Sequence, residues 1–319
     1  MIGLRLLQDR LGQTARRLEQ WQREDALRAA RLLDAAARSA EPGMRDAFLS
    51  SIRKLRLAVQ EAALADALAS GGSAETILDL IPWNDVAAEP LRRAWQAILL
   101  DLVAEASGIA LSVLPEAVTG NLQASGQRAA DWAQQNVAHL VTGITDSQRV
   151  AIRETVARVY HGPEELRLTP AQAAKTIRST VGLTPKLTDA VVSFQGDLVA
   201  DGVALPRAQA QAGKYAEKLR AYRADMIART ETVTAANQAQ QATWHDAAAE
   251  GLISVQNSVR VWHVIDDDRL DLLVCAPMDE QRVSLNQPFV TGDGRYVYTP
   301  AAHPGCRCYL SIDVQGVTP

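Results

Sequence analysis

Residues 258–265 read SVRVWHVI, and residues 262–313 read WHVIDDDRLDLLVCAPMDEQRVSLNQPFVTGDGRYVYTPAAHPGCRCYLSID. Here the spacing of apolar residues changes from three-and-four steps to alternation, the period of a strand with one face against a core. Ser258 to Ile265 is a strand candidate, and Cys308 to Asp313 (CYLSID) is a second. Gly292-Asp293-Gly294 supplies a hairpin turn before Arg295-Tyr296-Val297-Tyr298. The expected fold is therefore α+β: a mainly helical N-terminal body followed by a small C-terminal mixed domain with an antiparallel sheet. The sheet should pack on the helix that carries Arg229 to Trp244. Boundaries fall at 1–125 for a helical N-terminal region, 126–204 for a helical middle region and 205–319 for the α+β domain.

Upstream, the text is helical. Leu4, Leu7, Leu11, Thr14, Leu18 and Trp21 form a stripe, which Asp25, Arg28, Leu32 and Ala35 continue. Glu41-Pro42-Gly43 should break this helix, because proline lacks the amide that the ladder needs. A second helix, Met44 to Ala69, turns Phe48, Ile52, Leu55, Val59, Ala62 and Ala63 inward and stops at Gly71-Gly72. Ser73 reads as an N-cap. A further helix runs past Trp83 to about Ala106, with a loop over 107–125. Gln127 to Tyr160 is helical with an interruption near Gly143. Thr169-Pro170 and Thr184-Pro185 open two more helices, threonine capping and proline fitting the first turn. The last long helix starts at Leu205-Pro206 and closes at Gly251.

Composition sets the class. A chain of 319 residues with 22% charged residues and a net charge of −4 is a folded protein whose whole surface does not coat nucleic acid. Residues 1–60 are locally basic, with 12 Arg or Lys against 7 Asp or Glu. Arg10, Arg16, Arg17, Arg53, Lys54 and Arg56 are the candidates there for contact with DNA or an acidic partner; a solvated helix face has the same composition. No apolar run approaches the roughly 20 residues of a membrane span, and the first residues are too charged for a secretory signal. Three cysteines do not make a disulfide framework, which suits a chain made in the cytosol with reduced thiols.

All three cysteines lie in the C-terminal stretch: Cys275, Cys306 and Cys308, with His303 three residues before Cys306. Together they offer four ligands for a tetrahedral zinc ion. The same residues also suit a packed, hydrogen-bonded turn, or a pair of thiols that bridge when oxidised. Asp266-Asp267-Asp268 could hold a divalent cation, or simply close a strand end. Arg229 is placed to reach this acidic run in a salt bridge. The chain has no G-x-S-x-G, phosphate-binding glycine loop or H-E-x-x-H. It offers little as a catalyst.

The order of features is more specific than any one of them. Arg223-Ala-Asp-Met-Ile-Ala-Arg-Thr-Glu-Thr232 is followed by Ala236-Asn237, Trp244, Gly251, Trp262, Asp268-Arg269, Cys275-Ala-Pro-Met-Asp279, Pro300 and His303-Pro-Gly-Cys-Arg-Cys308. This order resembles the phage head morphogenesis family of Mu F-like minor head proteins, best over residues 205–313 and more weakly over 125–205. The chain departs from the family where only Cys275 stands for a Cys-x-x-Cys pair, and where Glu280-Gln281 replaces a usual glycine. The resemblance implies a minor capsid protein without catalytic activity. It would be present in few copies on the capsid interior of the virion, associated with the portal protein, and would assist DNA packaging or ejection. The major capsid protein and DNA are further expected partners; a membrane is not. The rival reading is a nuclease or toxin carried in the head, using Asp266–Asp268, His303 and the thiols.

Overall fold

The computed structural model describes residues 2–114, 116–119, 126–161 and 169–314, with backbone alone for 2–23, 25–27, 116–117 and 158–161. Nine α-helices among the described residues precede five short strands: α1 (Ile2–Ala58), α2 (Glu61–Ala69), α3 (Ala74–Asp79), α4 (Glu89–Ser112), α5 (Glu116–Thr119), α6 (Gln127–His161), α7 (Pro170–Thr180), α8 (Pro185–Ala200) and α9 (Leu205–Ala249). A π-turn, Asn84–Ala88, leads into α4. The α+β architecture is as the periodicity predicts.

Local capping explains several boundaries. Ser73 accepts a hydrogen bond from the Thr76 amide at the start of α3. Thr169 and Gln172 form a reciprocal capping box at α7, with Pro170 in the first turn. Thr184 caps α8 through the Leu187 amide. Each cap satisfies an amide that the ladder leaves unpaired, which contributes about 1 kcal/mol.

Five expectations are corrected. Pro42 does not end α1; the helix runs through it to Ala58. Proline costs a helix interior about 3 kcal/mol, but the residues around it are buried: Ala36, Ala37, Met44, Phe48, Ile52 and Leu55. Packing outweighs propensity here. Gly143 likewise lies inside the uninterrupted α6. The stripe drawn through Arg28, Leu32 and Ala35 faces solvent, and Ala29, Ala30, Leu33, Ala36 and Ala37 are buried instead. Its earlier members, Leu4 to Trp21, have side chains outside the described residues. In α2, Leu64 and Leu68 face inward rather than Ala62, which is exposed. Finally, the helical stretch Asn84–Ser112 is long and apolar enough to cross a membrane, with mean hydropathy 1.4. Its Leu91, Trp95, Leu99, Leu102 and Val103 are all buried, at the spacing of a core-facing helix.

The chain forms two compact units, each assembled from separate stretches: 1–41, 99–133 and 228–319 in one, and 42–98 and 134–227 in the other. α1, α4, α6 and α9 supply residues to both. Among its described residues the second unit has helices and no strand. There Phe48 stacks with Trp95 at 6.5 Å, and the Trp95 indole donates to the Met44 carbonyl. α2 packs on α7, where Arg178 donates to the Arg56 carbonyl and pairs with Glu61. At the α7–α8 turn Gly182 has φ +93, and a Cβ there would lie 2.5 Å from Ile52. Arg220 donates to the carbonyls of Ser179 and Val181, and Arg223 to that of Gly182.

The first unit holds the sheet. β1 (Ser258–His263) is central, with β2 (Arg282–Ser284) and β5 (Tyr309–Val314) antiparallel on either side. Trp262 faces Leu310 in the register. β3 (Phe289–Val290) and β4 (Tyr296–Val297) form the hairpin whose turn contains Gly292. The core gathers Trp244 and Ala247 of α9 with Trp262, Met278, Leu285, Phe289 and Leu310, so the sheet packs on the helix as expected. Arg260 is fully buried on the same side of β1 as Trp262. Its guanidinium donates to the Tyr298 and Gln287 carbonyls and to Gln241, and lies 5.0 Å from the Phe289 ring.

Candidate metal centre

Cys275 is set by a compact turn. The Asp271 carboxylate accepts from the amides of Leu273 and Val274, and the Cys275 amide donates to the Asp271 carbonyl. Pro277 then starts the single helical turn Ala276–Met278. At Gly292 a Cβ would lie 2.0 Å from the Leu273 carbonyl oxygen, so only glycine lets the hairpin approach this loop.

The other thiols lie in the turn before β5. The Cys306 amide donates to the His303 carbonyl, closing the turn through Gly305, which has φ +79. Helix α9 fixes that turn from outside. Thr230 Oγ1 accepts from the Gly305 amide, Arg229 donates to the Gly305 carbonyl, and Asn237 donates to the Cys308 carbonyl at 3.4 Å. The Cys308 amide in turn donates to Cys306 Sγ.

These turns bring Cys275, His303 and Cys306 together, with ligand atoms all within 4.8 Å of one another. Cys275 Sγ and Cys306 Sγ are 3.8 Å apart. Cys308 is beside both thiols but is not part of that mutually close set. The three cysteines are buried and His303 is half-buried. Hydrogen bonds from Cys275 and Cys308, with a further one from His303, favour the thiolate at Cys306 and lower its pKa. The same contacts hold the proton on Cys275, whose pKa is raised. Cys308 is pushed up to about 12. His303 is raised, first by its hydrogen bond with Cys306.

The donor set fits a thiophilic divalent cation. His303 Nδ1 is 2.9 Å from the Pro304 carbonyl oxygen, which can only accept. Nδ1 therefore carries the proton, and in the neutral ring Nε2 keeps its lone pair. The Trp262 indole favours the Cys308 thiolate, and among the described residues its buried Nε1 has no other hydrogen-bonding partner. A cation would replace the protons now shared among the sulfurs.

Next to this cluster is an ion network. Arg229 pairs with Asp267 at 2.5 Å, as the sequence predicts. Arg307, between the two cysteines, pairs with Asp34 at 3.0 Å and Glu41 at 2.7 Å, two positions a heptad apart on α1, and lies 3.9 Å from Asp267. Burial pushes the Asp267 carboxyl up, but the Arg269 amide and the Arg229 guanidinium outweigh it and hold the pKa below its ordinary value. Asp267 is thus committed to arginines. Among the described residues neither it nor Asp266 or Asp268 joins a metal-binding group. The Arg307 pairs were not legible, because no local pattern announces a partner 266 residues away.

A second group, His263, Asp279 and Glu280, was also missed by the sequence reading. It is already engaged: His263 bonds Ser311 at 2.7 Å, lies 3.3 Å from Glu280 and stacks on Tyr309, while Asp279 accepts from the Val264 amide.

Of the candidate basic residues, Arg53, Lys54 and Arg56 have described side chains. Arg10, Arg16 and Arg17 have side chains outside the described residues. Arg53 and Lys54 are exposed neighbours on α1. Arg56 is half-buried and salt-bridged to Glu217 within its own unit. Compared with known proteins, the chain matches no family model, no curated protein and no solved structure.

Proposed function

We propose that this chain is a minor head protein of a tailed phage or phage-like particle, with an assembly role rather than a catalytic one. It associates with the portal protein on the capsid interior and assists DNA packaging or ejection. The observation that supports this reading most is how the motif residues behind the resemblance are used. Arg229, Thr230, Asn237, Trp244, Trp262, Cys275 and the His303–Cys308 turn all tie α9 to the C-terminal turn or fill the core between them. Residues spent on holding a small domain together suit a rigid docking module better than an active site.

Within that module Cys275, His303 and Cys306, with Cys308 adjacent, bind Zn²⁺. The ion supplies a structural cross-link between the Cys275 loop and the Cys306 turn. Arg10, Arg16, Arg17, Arg53 and Lys54 are the residues proposed to face DNA phosphates or acidic partner groups; that contact weakens steeply with salt. The major capsid protein is a further partner, and the membrane is not.

The test is mass spectrometry of assembled particles made with and without the portal protein. A few copies per particle, lost when the portal is omitted, is the expected result. Absence from particles sinks the assembly reading. Metal analysis of the purified chain checks the zinc separately, with about one ion per chain expected and loss of that ion on Cys306→Ser.

A further inference from the structure

We propose that Cys275 and Cys306 are an oxidative modification site, forming an intramolecular disulfide whenever the metal is absent and a small peroxide is present. The inference takes up the metal site proposed above, but the stripped chain tests it whether or not the chain binds zinc.

The geometry selects the pair. Of the three thiols, Cys306 touches every other member of the cluster: Cys275, Cys308 and His303. Its sulfur is 3.8 Å from that of Cys275, so bond formation needs the two sulfurs to close by about 1.8 Å. Cys275 and Cys306 belong to different loops, 31 residues apart in sequence. Cys308 is a poorer partner for Cys306. It follows by two residues, its amide donates to the Cys306 sulfur, and its carbonyl is held by Asn237 beside β5. A bridge between residues two apart strains the bond geometry. The sulfurs themselves are buried and His303 is half-buried, which favours an oxidant as small as a peroxide.

The chemistry balances in two steps. The Cys306 sulfur attacks one oxygen of hydrogen peroxide, the O–O bond breaks, and with one proton the other oxygen leaves as water. Cys306 is then a sulfenic acid. The Cys275 sulfur attacks the Cys306 sulfur, the S–S bond forms and the S–O bond breaks. The hydroxide takes the Cys275 proton and leaves as the second water. Two thiols are oxidised by two electrons, and one peroxide is reduced to two waters. A bound cation occupies the same sulfur lone pairs, so metal and disulfide exclude one another.

The full-length chain, zinc-loaded or stripped with EDTA, is treated with hydrogen peroxide and mapped by non-reducing peptide mass spectrometry. In the stripped sample the expected product is a Cys275–Cys306 cross-linked peptide, two hydrogens lighter than its parts, with one thiol left at Cys308. Cys308→Ser keeps the link, and Cys275→Ser loses it. A Cys306–Cys308 link, links between chains, or oxidation of Cys306 to sulfinic acid with no bridge would overturn the proposal, whatever the variants do. The two readings separate cleanly. A bridge that forms equally fast with and without added zinc removes the metal reading alone; bound zinc with no bridge after stripping removes this one.

Discussion

The two units solve the same problem with different materials. The helical unit is held by repetition. Apolar residues recur along Phe48, Ile52 and Leu55 and along Leu91 and Trp95, helix ends are capped by Thr169 and Thr184, and Arg220 and Arg223 serve the α7–α8 turn. The mixed unit has a three-stranded sheet and a two-residue hairpin, too little regular structure to stand on its ladder alone. It relies instead on single side chains of particular chemistry: Arg260, Arg229, Arg307, Asn237 and the thiols. Repetition spreads the cost of a substitution, while a unique tie concentrates it.

Substitutions in each unit can break or sharpen that contrast. The largest effect is expected at Arg260. Arg260→Ala leaves the Tyr298 and Gln287 carbonyls without their donor and opens a cavity beside Phe289, a loss of about 3–5 kcal/mol measurable as a lower urea midpoint. Next is Gly182→Ala in the helical unit. A left-handed backbone and a Cβ 2.5 Å from Ile52 together cost about 2–4 kcal/mol; an unchanged midpoint would show that the turn relaxes freely.

Asp267→Asn comes third, at about 1–3 kcal/mol near neutral pH, from weakened bonds to charged groups. Its pH dependence carries a sign. The folded carboxyl titrates below its ordinary value of 3.8, so its contribution is complete above that value and fades as pH falls through it and lower. Wild type and variant should therefore converge in stability as pH falls below the carboxyl's ordinary value of 3.8, in acid titrations followed by circular dichroism. A gap that persists in acid assigns the effect to packing instead. The smallest effect is Thr169→Ala, which removes one cap of a capping box for about 1 kcal/mol. If that substitution unfolds the chain as readily as Arg260→Ala, the contrast between the units fails.

What could be read from the sequence follows the same division. Ser73, Thr169 and Thr184 announced their helices because a cap is a local device, with donor and acceptor three residues apart. The period change at Ser258, the turn at Gly292–Gly294 and the alternation in CYLSID placed β1, β4 and β5, while β2 and β3, of three and two residues, carry too short a pattern to be read. Arg229 was paired in advance with the acidic run that contains Asp267, and the Cys275 loop with the Cys306 turn. Pro42 and Gly143 misled, since propensity is a weak force beside burial along helices of 57 and 35 residues. The register was lost where it was carried through Arg28, Leu32 and Ala35, which lie on the solvent face. Arg260 escaped notice entirely: in SVRVWHVI the alternation is right, but the buried face is the one bearing arginine.

Arg307 has a consequence in time. Its partners Asp34 and Glu41 precede it by 273 and 266 residues, and chains are made from the N-terminus at roughly 5–20 residues per second. The acids on α1 therefore wait on the order of tens of seconds before this distant partner exists. Such distant contacts also slow folding once the chain is complete, because the closure entropy must be met first. A nascent chain halted before Arg307 holds Asp34 against Arg38 one turn away, and the first unit can close only when the final strand has been made.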